Sequence, residues 1–278
     1  MKYIDAITGS LLSIVVFVPL ALFVPGVGST PVVETVLTVS SFLFAILAGF
    51  FISRLNTRYD QVRQLISDED AYFYSLFKTA KVYGEEFAGK IAGSIDNYYV
   101  AAFESEITDY YKGTAPHIGN IYKSLYGISE KSADSLYANM FSILLSIESV
   151  RNKNSVISKE RLTTGQWTVL VCLVIVILFC LFYINTNQPF FQFLLVLMSS
   201  ILVLVLLTLR DLQNLRLGGK LLPVLESGQE VLESVGKLRY YNQTLVDAGV
   251  MEIPKGVKKY RLGLHRPGKK MKIKIIQK

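Results

Sequence analysis

Four stretches of this chain are long and apolar enough to cross a lipid bilayer, and every other reading has to accommodate them. Ile7 to Val24, Val32 to Ile52, Trp167 to Ile184 and Pro189 to Leu209 each run about 18–21 residues, with Glu34 the one charged side chain among them. At about 1.5 Å of rise per residue, a helix of that length covers a hydrocarbon core of roughly 30 Å. A buried strand would be much shorter, and a buried helix of a soluble protein would keep a polar face. With 51% hydrophobic residues in 278, the chain is also too apolar for an ordinary solvated surface. The expected fold class is therefore an all-α integral membrane protein with four transmembrane helices.

The four spans pair in sequence as two hairpins. Pro25 to Pro31 (PGVGSTP) joins the first pair and Asn185 to Gln188 (NTNQ) the second, and neither link carries a charge. The opposite ends are basic. Arg54, Arg58 and Arg63 follow the second span, Lys153, Lys159 and Arg161 precede the third, and Arg210, Arg216 and Lys220 follow the fourth. Lysine and arginine near span ends stay on the cytoplasmic side, which places both hairpin tips outside and both termini inside. A cleaved signal peptide competes for the first stretch, with Lys2 as its basic region. No A-x-A-like site follows it, and the uncharged link into a second span fits a retained hairpin.

The expected organisation is a first hairpin over 1–54, a cytoplasmic helical region over 55–164 and a second hairpin over 165–210. A cytoplasmic helical segment over 211–253 and a basic tail over 254–278 complete it. In the middle region, Val62, Leu65, Ile66, Phe73, Leu76 and Phe77 recur at helical spacing. So do Phe87, Ile91, Ile95, Tyr98, Ala102 and Phe103, and later Leu136, Met140, Ile143, Leu144 and Ile147. Lys112-Gly113 and Ala115-Pro116-His117 read as breaks, and long helices are expected to continue the second and third spans. No strand pattern is evident before Met271 to Ile276.

Net charge is +7, but Lys255 to Lys278 holds ten Lys or Arg and no acid, leaving 19 basic and 22 acidic residues elsewhere. On a membrane protein's cytoplasmic face, anionic lipid headgroups or simple solvation of a disordered end suit such a tail better than nucleic acid, which is not expected as a partner. Cys172 and Cys180 lie eight apart on one span, too far for a disulfide on one helix, and read as small apolar residues.

Enzyme chemistry finds no support. The two histidines, His117 and His265, stand alone, and no H-E-x-x-H, C-x-x-C, G-x-S-x-G or phosphate-cradling glycine loop is present. No cofactor and no metal site are expected. Asp68-Glu69-Asp70 is the one acidic triplet, but three consecutive helical residues point in different directions, so a solvated helix face is the expectation.

The second span is the informative one. Ser41, Ala45 and Gly49 fall at i, i+4 and i+8 and form a small-residue ridge of the kind that lets membrane helices approach closely. Phe42, Ile46 and Phe50 form the adjoining stripe, roughly 100° away. If the ridge packs on a neighbouring helix, the stripe faces either lipid or a central axis, where several copies would make an apolar constriction. Glu34, just past Pro31, reads either as a snorkelling interfacial carboxylate or as part of an acidic ring at an outer mouth that favours cations.

The segment Ser41 to Phe50 (SFLFAILAGF) resembles the pore helix of the bestrophins. Arg58 to Ile66 (RYDQVRQLI), with Glu69 beyond, and Asp211 to Gly218 (DLQNLRLG) are similar to motifs of bestrophin-like bacterial membrane proteins. The resemblance implies a homo-oligomer, a pentamer, around one ion pathway, with Phe42, Ile46 and Phe50 at its neck, in a prokaryotic cytoplasmic membrane. It leaves the sign of the permeant ion open. The calcium-binding acidic cluster of animal bestrophins has no counterpart after the fourth span, so calcium gating is not implied. The alternative is a non-conducting membrane-anchored scaffold or sensor whose cytoplasmic helices bind a partner.

Overall fold

The computed structural model describes residues 3–126, 135–217, 220–221, 225–265 and 271–277. In chain order the elements are α1 (Ala6–Phe23), α2 (Pro31–Val82), α3 (Glu85–Glu104), α4 (Tyr110–Tyr126), α5 (Ser135–Ile157), α6 (Thr164–Tyr183) and α7 (Pro189–Gln213). Then come β1 (Arg216–Leu217), β2 (Lys220–Leu221), α8 (Leu225–Ser234), β3 (Tyr240–Asn242), α9 (Gln243–Asp247), β4 (Lys259–Leu264) and β5 (Lys272–Gln277). The helices α1, α6 and α7 and the first part of α2 coincide with the four apolar stretches, and all four are long and apolar enough to cross a membrane. The described residues divide into two compact units, one within 3–59 and 161–217, the other within 60–160 and 220–277.

In the first unit, the sequence neighbours α1 and α2 are not each other's main packing partners, whereas α6 and α7 do pack together. The main helix partner of α1 is α7, not α2. Small residues make this possible: a Cβ on Gly9 would lie 2.5 Å from the Leu207 side chain, and the Ser10 hydroxyl donates to the Ser200 carbonyl at 2.9 Å. Phe44, Ala48, Phe51 and Leu55 of α2 pack with Leu170, Val174 and Ile177 of α6 and Leu202, Leu209 and Leu212 of α7.

Two amide side chains hold the ends of this bundle. Asn185 is buried and donates to the Ala21 and Val24 carbonyls at 3.0 and 3.2 Å, satisfying orphan carbonyls at the end of α1. At the other end, the Gln213 side-chain oxygen accepts from Leu162 N (3.1 Å) and the Trp167 indole (3.0 Å), while its carbonyl accepts from Arg58 (3.0 Å). Buried polar groups near lipid have no water to fall back on, so a partner for such groups, as Asn185 gives the end of α1, is what the environment demands.

The second unit has a conventional core of Phe73, Leu76, Ile91, Ile95, Ile121, Met140, Leu144 and Ile147, joined by Leu232 and Tyr240 from the C-terminal segment. Most residues chosen by helical spacing lie here, whereas Leu65, Ile66, Ala102, Leu136 and Ile143 are only half-buried. α2 continues unbroken for 52 residues. It stops where Gly84 takes φ +107°, a conformation that side chains with a Cβ rarely adopt.

Several expectations need correction. The third span is not continued: α5 ends at Ile157 and α6 begins afresh at a capping box, Thr163 with Gln166. Lys112-Gly113 and Ala115-Pro116-His117 do not break the chain, because α4 runs through them. Gly113 instead makes room for Ser105, whose Oγ lies 2.5 Å from where its Cβ would stand. Two segments of the basic tail, Lys259–Leu264 and Lys272–Gln277, form sheet. β4 pairs antiparallel with β5, and β3 runs parallel to β4. The Met271 to Ile276 pattern does belong to a strand, while the strand over Lys259–Leu264 was hidden by its charges.

Candidate functional site

On α2 the residues two apart are about 200° apart, so Phe44 and Ala48 face away from Ile46. The first two are buried against α6 and α7, whereas Phe42, Ile46 and Phe50 are 65, 53 and 62% exposed. The uncovered line continues in both directions along the same helix. Glu34 and Thr38 precede it, and Ser53, Thr57, Gln61 and Gln64 follow it, all exposed. That line is polar at Glu34 and Thr38, apolar at Phe42, Ile46 and Phe50, and polar again from Ser53, while Val32, Val39 and Leu43 beside it are exposed too.

Glu34 lies in the first turn of α2, where its carboxylate accepts from the Ser29 hydroxyl and its amide donates to the Thr30 carbonyl at 3.0 Å. A carboxylate at a helix N-terminus is favoured by the helix dipole. Ser41 is half-buried, and Ala45 and Gly49 are exposed. Among the described residues Ala45 and Gly49 are therefore left uncovered, and a Cβ added to Gly49 would meet nothing within 4 Å.

The acidic triplet behaves differently from the expected solvated face. Asp68 is half-buried, but Glu69 and Asp70 are 3 and 5% exposed. Tyr98 donates to Glu69 Oε1, and Tyr110 donates to Glu69 Oε2 at 3.0 Å. Arg151, itself buried, donates from Nε to the Tyr98 oxygen (3.1 Å) and from Nη2 to Thr114 (2.7 Å) and the Tyr111 carbonyl (3.0 Å). Asn154 donates to the Tyr110 oxygen at 3.1 Å. Asp70 accepts from Tyr99 at 2.5 Å and from Ser227 of α8. Burial pushes Glu69 up to about 7 against the pull of Tyr98, Arg151 and Tyr110. The two carboxylates do diverge, as neighbours on a helix must, but both directions lead into packed protein. Among the described residues no group of three or more His, Cys, Asp or Glu is arranged to hold a metal ion.

Sequence reasoning missed this network because its partners sit 29 to 157 residues away. It also missed the ties of the C-terminal strands. Arg261 of β4 grips Asp96 with both nitrogens, one at 2.8 Å, and Tyr240 donates to Glu104 at 2.5 Å. Gly263 is required there, since a Cβ would lie 1.9 Å from the Tyr240 hydroxyl. A visible signal was the Tyr98-Tyr99 pair on an otherwise apolar helix face, because buried tyrosine hydroxyls need acceptors.

The model of the bestrophin-like domain matches residues 10–213, which include the whole exposed stripe of α2. The chain belongs to the bestrophin-like family. Its structure is similar to that of a bacterial bestrophin homologue from Klebsiella pneumoniae, with a TM-score of 0.66 at 13% identity over 87% of this chain and 99% of that one. Two single-site variants of the homologue give TM-scores of 0.66 and 0.67 at 12% identity, covering 81 and 88% of this chain and 97 and 98% of theirs. At such identities the likeness is one of fold. No curated protein sequence matches the chain.

Proposed function

We propose that this bestrophin-like protein is a homo-oligomeric, pentameric ion channel whose neck is lined by α2 at Phe42, Ile46 and Phe50. The observation that carries the reading is the line of Phe42, Ile46 and Phe50 on α2, which stays more than half exposed within the chain and has the exposed polar residues Glu34 and Thr38 before it and Ser53 and Thr57 after it. Copies arranged about an axis would turn the stripe into a short dewetting constriction between hydrated vestibules. Membership of the family, known as ion channels, supports it. Ser41, Ala45 and Gly49, half-buried at the first and exposed at the other two, would be the surface on which the next subunit packs closely. Glu34 would form a ring at the outer mouth, biasing entry toward cations.

The basic span ends support a prokaryotic cytoplasmic membrane with both termini inside. Of the tail's cations, Arg261 is committed to Asp96, while Lys255, Lys258, Lys259, Lys272 and Lys274 are exposed and suit anionic headgroups.

Subunit count of the purified particle tests the assembly, and flux from reconstituted Ile46→Ala tests the neck. A five-fold ring with flux raised severalfold by the substitution is expected. A monomer, or unchanged flux, removes the neck assignment and leaves the non-conducting scaffold as the better reading.

A further inference from the structure

An uncharged apolar neck does not distinguish the sign of an ion, so the charges at its two ends decide which ions collect there. On the neck assignment above, we propose that Asp60 selects charge at the end of the neck opposite Glu34. One carboxylate per subunit rings the pathway there and favours inorganic cations.

α2 runs unbroken from Pro31 to Val82, so the side of the helix on which each residue stands follows from its spacing. At 3.6 residues per turn, Asp60 comes about five full turns after Phe42 and stands on the same side, roughly 40° from Ile46. Between Phe50 and Asp60 that side carries Ser53 and Thr57, both exposed, short and uncharged. Asp60 is therefore the first charge along the line after the apolar positions, about 15 Å of helix beyond Phe50. About two turns later comes Asp68, half-buried and accepting from Gln64 at 2.8 Å. The first cation within roughly 60° of this line is Lys78, about 27 Å beyond Asp60 and several screening lengths away at physiological salt.

The Asp60 carboxylate is also uncommitted. It is exposed and makes no hydrogen bond or ion pair among the described residues. Of the acids on α2 beyond the neck it is the open one, since Glu69 and Asp70 are buried and Asp68 is half-buried. The arginines near it in sequence are turned elsewhere. Arg58 is buried and donates to the Gln213 carbonyl at 3.0 Å. Arg54 and Arg63 stand roughly 80° and 100° from Ile46, on opposite flanks of the helix, and Arg54 is engaged by another contact. A ring of uncompensated carboxylates in a confined pathway raises the local cation concentration by about tenfold or more and depletes anions.

Reversal potentials of the full-length protein in planar bilayers, under a tenfold potassium chloride gradient, test the ring. With the gradient between about 0.01 and 0.1 M, Asp60→Asn should lower the potassium-to-chloride permeability ratio severalfold, and Asp60→Lys should lower it further. Both shifts should shrink between about 0.1 and 1 M, where screening shortens the reach of a charge to about 3 Å. Glu86→Gln removes an equal charge from a fully exposed site on α3 and should leave the ratio unchanged. A ratio unmoved by Asp60→Lys overturns the ring and leaves the neck, which Ile46→Ala tests, standing. A shift of equal size in both salt ranges, or one that Glu86→Gln shares, also overturns the ring. A wild type without current overturns the ring and the neck together.

Discussion

The two compact units of this chain shield opposite things. In the unit of α1, α6 and α7, large apolar side chains such as Val15, Phe179 and Phe190 are exposed, and the small residues Ala6, Gly9, Ser10 and Ala21 turn inward. In the other unit, Phe73, Leu76 and Ile95 are buried without exception, and the deepest positions also include Arg151 and two carboxylates. The difference follows from the solvent. Lipid offers no hydrophobic drive for helix association, so close fit and side-chain amide hydrogen bonds such as those of Asn185 and Gln213 hold the first unit. Where water surrounds an element, removing apolar area from it drives folding strongly enough to carry the desolvation of a buried polar network.

Substitutions of similar size should separate the units sharply. Phe73→Ala, deep in the water-type core, should cost about 3–5 kcal/mol in chemical denaturation. Ile46→Ala removes a similar side chain from an uncovered face and should change stability by no more than about 0.5 kcal/mol. Equal losses would mean that the stripe is packed within one chain and has no role at a neck.

pH should act next most strongly, and only on the second unit. Glu69 and Asp70 are raised to about 7, well above ordinary carboxylates. Their contribution is therefore complete below about pH 4 and is lost as pH rises through about 7. Melting curves of wild type and Glu69→Gln at pH 5 and 8 give the check: the wild type should lose more stability than the variant on going to pH 8. The reverse order would mean the carboxylates are stabilised as anions.

Asn185→Ala should cost about 1–3 kcal/mol, since it strands the Ala21 and Val24 carbonyls, and the loss should appear in the thermal stability of the solubilised particle. Smallest of all, Glu34→Gln should leave stability unaltered and move the reversal potential in a salt gradient toward weaker cation preference. An unchanged potential assigns Glu34 to the interface alone.

Legibility in the sequence differed between the units for the same physical reason. The spans were evident because lipid requires long uninterrupted apolar runs. The middle helices were evident from spacing, yet Pro116 and Gly113 misled, since a packed neighbour can hold a helix through residues that weaken it in isolation. Glu69 and Asp70 were misread because their charge implied water. Their actual surroundings are tyrosines on α3 and α4 and a serine on α8, whose approach no local pattern encodes. The β4 strand was concealed likewise, its Arg261 satisfied by Asp96 on α3.

Hydropathy and charge alone determined that this chain crosses a membrane four times, because one span's worth of apolar residues is a local property. Which face of α2 is covered, that α1 lies on α7 rather than α2, and that two adjacent carboxylates are buried were decided only by tertiary structure. Each depends on which distant surface arrives, and helical periodicity specifies a face without naming its partner.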